Sequence, residues 1–139
     1  MSFKEIPLMK LSEGTVLFHP YVSKNSFKNV KKVLSGRLIG QGPLVDKFEL
    51  KFKSMFANSN QCLSTGSGTD ALHLSYILAG LKKGDEVIAP LFTCTATNIP
   101  FLYMGIKIKF ADIDPDTMNI NVQSVKKLIS KKTKAIICM

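Results

Sequence analysis

From Gln61 onward the sequence predicts an α/β fold, a mostly parallel sheet with helices on both faces. Two observations carry this. Short apolar runs alternate with amphipathic segments in the order β-α-β-α-β-α-β, and a chain of that order builds parallel strands covered by helices. Glycine-rich or lysine-glycine turns also punctuate the handovers, at Gly66-Ser67-Gly68 and at Lys82-Lys83-Gly84. Ligands of such sheets bind outside the carboxyl ends of the strands.

Residues 1–60 form an N-terminal segment with two expected helices. Residues 1–23 read as irregular, punctuated by Pro7, Gly14 and Pro20. Lys24 to Leu34 suits a helix, with Phe27, Val30 and Leu34 at helical spacing. Ser35-Gly36 ends it, since glycine accepts the left-handed position after a helix. A second helix starts at Gly42-Pro43, where proline's missing N–H costs nothing. Its stripe of Leu44, Val45, Phe48, Phe52 and Phe56 is expected to be core, packed on a sheet or a partner subunit.

Residues 61–139 hold the α/β part. Gln61–Thr65 reads as a short strand and Thr69–Leu81 as a helix bearing Leu72, Ile77, Leu78 and Leu81. His73 within it is given no role beyond packing. Val87-Ile88-Ala89 is a strand ended by Pro90, then comes a polar Thr93–Thr97 segment and a short helix from Asn98 to Met104. Lys107–Ile113 alternates as a strand, with Ile106, Ile108 and Phe110 on one side. Asp114-Pro115-Asp116 is a turn, Asn121 caps a helix bearing Val122, Val125, Leu128 and Ile129, and Ala135–Cys138 is a last strand.

Composition narrows the function classes. The apolar content suffices for a packed core and excludes disorder over the whole chain. The net charge of +9 comes almost wholly from lysine, with Arg37 the only arginine. Phosphate and base recognition favours the arginine fork, so the dispersed lysines read as solvated faces and no nucleic-acid partner is expected. No apolar run is long enough to span a bilayer, so no membrane partner is expected either. Cys62, Cys94 and Cys138 have no metal-ligand spacing and no CxxC, which with no leader pattern points to reduced thiols in the cytoplasm. No metal site is expected.

The turn Thr65-Gly66-Ser67-Gly68-Thr69 is the leading candidate site. The first N–H groups of a helix lack internal partners and sit at the positive end of its dipole, a ready anion site. The plainer alternative is a connection with Ser67 or Thr69 as N-cap. Its expected place after a strand, on the same rim as Phe92–Thr97, favours a phosphate ligand. Gly66-Ser67-Gly68-Thr69-Asp70-Ala71 also matches the dinucleotide fingerprint GxGxxA, but the next strand ends in Pro90-Leu91-Phe92-Thr93 without the acid that holds a ribose. No Walker-type GxxxxGK[ST] is present.

Taken together, several motifs resemble the DegT-type (DegT/DnrJ/StrS) sugar aminotransferases of the fold-type-I pyridoxal-phosphate class. They are Ser35-Gly36, Gly42-Pro43-x-Val45-x-x-Phe48-Glu49, Ser67-Gly68-Thr69-x-Ala71-Leu72 and Gly84-Asp85-Glu86-Val87-Ile88. Thr93-x-x-Ala96-Thr97, Asp112-x-Asp114-x-x-Thr117 and Thr133-Lys134-Ala135-Ile136-Ile137 complete the train. The resemblance covers about Ser35 to the end and implies the N-terminal part of that class's large domain, incomplete and truncated at Met139.

It further implies pyridoxal 5'-phosphate as cofactor, a nucleotide-linked keto sugar as substrate, glutamate as amino donor, and a homodimer at full length. Gly68 and Thr69, with Ser67 beside them, match the family's cofactor-phosphate turn. The position of the residue stacking on the pyridine ring falls on Cys94, where the family usually has an aromatic; a small buried apolar role is the other reading of that thiol. The resemblance places the Schiff-base lysine and the aspartate facing the pyridine nitrogen beyond Met139, so the stretch holds no catalytic residue and is expected to be inactive alone. Asp112 and Asp114 read as strand end and turn. The alternative function is a non-catalytic, degenerate half-domain that binds a partner protein or a phosphorylated ligand.

Overall fold

The structure is a computed structural model that describes residues 21–57 and 61–139. The reading of residues 1–20 as irregular therefore lies outside the described residues. The chain divides into two compact units, Met1–Lys51 and Phe52–Met139.

The first unit holds helix α1, Lys24–Leu34, and most of α2, Pro43–Phe56. The sequence marks both ends of α1. The Ser23 hydroxyl accepts from the Asn25 N–H at 3.3 Å, and the Ser35 and Gly36 N–H groups close the last turn on the Lys31 and Val33 carbonyls. No residue of α1 or α2 is buried. Within the single chain the α2 stripe, expected to pack on a sheet or a partner subunit, is uncovered: Leu44, Phe48 and Phe56 each keep more than half of their surface. Helical spacing shows that a face is apolar; it does not supply what covers it.

The second unit has the order α3 (Gly68–Leu78), β1 (Glu86–Pro90), α4 (Thr95–Tyr103), β2 (Lys107–Ala111), α5 (Val122–Leu128) and β3 (Thr133–Ile136). The strands form one parallel sheet in the order β2-β1-β3, with Val87 opposite Ile108 on one side and Ala135 on the other. All five residues of β1 are buried. Val87 packs with Tyr76, Leu81, Phe101 and Ile106, whereas its neighbour Ile88 packs with Ala111 and Val125. Successive strand residues point to opposite faces, so these two clusters are helices α3 and α4 on one face and α5 on the other.

Helices α3 and α4 end in the same way. Gly80 and Gly105 take φ of 77° and 67°. The N–H groups of Leu81 and Ile106 then reach back to the Tyr76 and Phe101 carbonyls at 3.2 and 2.9 Å. Each closure drops an apolar residue into the core, and Tyr76 and Phe101 stack at 4.3 Å between ring centres.

Two expectations need correction. Gln61–Thr65 is not a strand: Leu63 is 70% exposed, and the Thr65 hydroxyl turns back to donate to the Ser67 carbonyl at 2.9 Å. Without a neighbouring strand to complete its ladder, that segment runs as irregular chain. Helix α4 starts at Thr95 rather than Asn98, with Pro100 inside it. The cost is one intrahelical bond, the one a residue 100 N–H would have given to Ala96, and side-chain anchors of the first turn offset it.

Candidate functional site

The glycine turn is held open by its own side chains. Ser67 is the N-cap of α3, with an extended backbone, and its Oγ accepts from the Asp70 N–H at 3.1 Å. The Ser67 carbonyl takes the Ala71 N–H at 3.1 Å. That leaves the N–H groups of Gly68 and Thr69, which have no intrahelical acceptor, directed out of the positive end of the helix.

A side chain at Gly68 would meet nothing within 4 Å, so the space above these donors is clear. At Gly66 a Cβ would stand 3.0 Å from Asp70 Oδ2, so glycine there is what lets the carboxylate fold back over the turn. Two N–H donors, the Thr69 hydroxyl and open space at a helix N-terminus fit a phosphate group. The Asp70 charge favours the helix dipole but opposes a second anion.

Cys94 is the N-cap of α4, at the carboxyl end of β1. It is exposed and its side chain makes no cap bond, which overturns the reading of this thiol as a buried apolar residue. What fixes the turn around it is Thr97, fully buried, whose Oγ1 lies 3.0 Å from Thr93 Oγ1. Asn98 adds a bond from Nδ2 to the Pro90 carbonyl at 3.1 Å. Asn98 Oδ1 is the buried side-chain atom without a hydrogen-bond partner among the described residues.

Ser67, Gly68 and Thr69 thus share one turn. No hydrogen bond joins Cys94 to it among the described residues. The two helices carrying them are joined through Tyr76, whose hydroxyl donates to the Thr97 carbonyl at 3.1 Å; burial pushes that phenol's pKa up, keeping it a neutral donor. The rim argument holds for Thr93–Thr97, which follow β1, and not for the glycine turn, which follows no strand.

Sequence reasoning read Thr93–Thr97 as a polar segment on the rim but missed the anchoring roles of Thr97 and Asn98. It also missed Glu86. That carboxylate is 6% exposed, 2.8 Å from Lys109 Nζ, and accepts from the hydroxyls of Ser130 (2.7 Å) and Thr133 (3.2 Å). The Lys109 bond, then the Ser130 bond, hold its pKa down at about 2. It stands at the start of β1, away from the ligand rim, and ties β1 to both neighbouring strands. Asp112 and Asp114 serve turns: Asp114 Oδ1 accepts from the N–H groups of Asp116 and Thr117, which lowers its pKa. No group of three potential metal ligands gathers among the described residues.

The model of the DegT/DnrJ/EryC1/StrS aminotransferase family matches residues 20–139. The chain belongs to this family. Among its DegT-family relatives, GDP-perosamine synthase of Vibrio cholerae is 32% identical over 124 residues, 88% of this chain and 34% of that protein. UDP-2-acetamido-2-deoxy-3-oxo-D-glucuronate aminotransferase of Pseudomonas aeruginosa is 40% identical over 96 residues, 69% of this chain and 26% of the relative. The solved structure of Escherichia coli GDP-4-keto-6-deoxy-D-mannose-3-dehydratase, with bound hydrated PLP, superposes with a TM-score of 0.75 at 32% identity. That match covers 88% of this chain and 33% of the other. The chain spans about a third of the length of the curated relatives it matches. Over that stretch the expected α/β fold is the fold of these DegT-family enzymes.

Proposed function

We propose that this chain is the cofactor-phosphate-binding part of a pyridoxal-phosphate enzyme that aminates a keto carbon of a nucleotide-linked sugar, with glutamate as amino donor. The observation that carries the reading is the Ser67-capped turn, with two outward N–H donors and clear space over Gly68. The cofactor, when bound, supplies the electron sink that lets nitrogen pass between an amino acid and a keto sugar.

In this reading the Gly68 and Thr69 N–H groups and the Thr69 hydroxyl hold the phosphate. Ser67 keeps the turn in shape, because its hydroxyl is committed to Asp70. Cys94 offers a polarisable thiol to the ring, and the Thr97 and Asn98 bonds fix the turn that presents it. The working enzyme is a cytoplasmic homodimer that serves amino-sugar and polysaccharide synthesis.

Gly68→Val tests the reading cleanly. Its Cβ enters space no protein atom uses, so the fold is kept while the phosphate is shut out. In the full-length protein, cofactor retention by absorbance after dialysis is expected to fall by about tenfold or more, with unchanged circular dichroism. Unchanged retention would sink the proposal. Borohydride is expected to trap the cofactor on a lysine of the wild-type protein; no trapped cofactor would leave the degenerate half-domain as the better account.

The dehydratase relative favours a second reading, removal of a sugar hydroxyl with the same cofactor. Mass analysis of the sugar product separates them: a product carrying nitrogen supports amination, and one lacking an oxygen without gaining nitrogen supports dehydration.

A further inference from the structure

The first unit contains a groove that the cofactor reading does not use. It has a volume of about 720 Å³, within the roughly 300–1,000 Å³ of small-molecule sites. Three cations from three successive elements line it: Lys32 from α1, Arg37 from the connecting loop and Lys47 from α2. Val33, Leu38 and Leu44 form its apolar wall, and among the described residues no carboxylate lines it.

The cations have no counter-ion: among the described residues none of the three side chains makes a hydrogen bond or ion pair. Lys32 alone has an ordinary explanation, as a cation in the last turn of α1. Arg37 and Lys47 do not. The carbonyls of Lys31 and Val33 at that helix end are already taken by Ser35 and Gly36, so they bring little negative pole to the groove. Gly42 shapes the wall, since a Cβ there would press to 3.3 Å from Leu38 Cβ.

Like charges gathered around one cavity repel unless an anion joins them, and an apolar wall beside them asks for an anion with an apolar body. Of the chain's basic residues, the single arginine stands here, the side chain whose planar fork suits phosphate oxygens in pairs. We propose that this groove binds the nucleoside diphosphate part of a nucleotide-linked substrate. Arg37, Lys32 and Lys47 would hold the two phosphates, and Val33, Leu38 and Leu44 would cover the nucleoside. The inference rests on the sugar-enzyme reading above and adds where that substrate's carrier is gripped.

The test is calorimetric titration of the full chain, as expressed from its own gene, with GDP and with UDP. One saturable site is expected for at least one of them. Arg37→Gln should weaken it by about tenfold or more and Lys47→Gln by somewhat less. Lys126→Gln, which removes an exposed charge from α5 in the second unit, should leave it unchanged.

Absence of saturable binding overturns the proposal. So does equal weakening by Lys126→Gln, which would make it a net-charge effect. Pyrophosphate binding as tightly as GDP would remove the nucleoside from the site, and tighter binding of a short single-stranded oligonucleotide would assign a polyanion instead. Gly68→Val should retain GDP binding while losing the cofactor, so a failure at either site is told apart from a failure at the other.

Discussion

The two units are built from helices of similar length that meet opposite fates. α1 and α2 carry regular apolar stripes, yet Phe27, Val30, Leu34 and Phe48 all remain more than half exposed. α3 and α4 have less regular patterns and still place Tyr76 and Phe101 in a core where Phe101 has no exposed surface. The difference lies at the helix ends. Gly80 and Gly105 turn the chain back at once, so the strand that follows lies against the helix it came from. Past Gly36 the chain instead enters the loop toward Pro43, and no strand follows. Burial here follows from how a helix is connected more than from how amphipathic it is.

The largest expected effect tests that contrast directly. Phe101→Ala empties a fully buried ring position and should cost about 3–5 kcal/mol of unfolding free energy. Phe27→Ala, on a side chain 68% exposed, should stay within about 0.5 kcal/mol. Denaturant titration of both variants checks it, and a comparable loss at Phe27 would break the comparison.

Acid should act next, and on the second unit, where Glu86 is bonded. Its folded pKa lies at about 2, below the usual 4.5, so folding favours the charged form. The contribution is fully present above about pH 4.5 and is lost as pH falls from there towards about 2. Glu86→Gln should flatten the pH dependence of the melting temperature across that window; an unchanged slope would assign it to other carboxylates.

The smallest effect concerns the helix closures. Gly80→Ala forces a side chain into a left-handed backbone with nothing near it, at about 1–2 kcal/mol. Gly105→Ala adds a Cβ 3.0 Å from Lys83 Cγ, so it should cost slightly more. Equal losses would show that the lysine stem simply moves aside.

Much of this was legible because local chemistry and the final fold agree. Ser35-Gly36 closes α1 at its observed end, Asn121 caps α5 by accepting from the Ser124 N–H, and the glycine turn is visible as a serine between two glycines. What escaped depends on partners distant in sequence. Gln61–Thr65 has the residues of a short strand but gains no neighbour. The start of α4 was hidden because Pro100 suggests a first turn, whereas Thr97 and Asn98 are anchored to Thr93 and Pro90 further back. Glu86 looked like the polar edge of a strand, and its partners Ser130 and Thr133 lie more than forty residues away. At the site, the glycine turn could be read, but the exposure of Cys94 could not, because a thiol suits either side of a surface.

The central position of β1 has a consequence for how the protein is made. Its neighbours β2 and β3 both follow it in the chain, each after an intervening helix. When β2 has left the ribosome, the apolar strand Val87-Ile88-Ala89 still has one bare edge. The residues between Ala111 and Thr133 take roughly 1–4 s to add at about 5–20 residues per second. During that interval a nascent chain offers an unpaired edge beside its most apolar stretch, and slower synthesis across α5 would lengthen the time in which a chaperone or a second nascent chain could reach it.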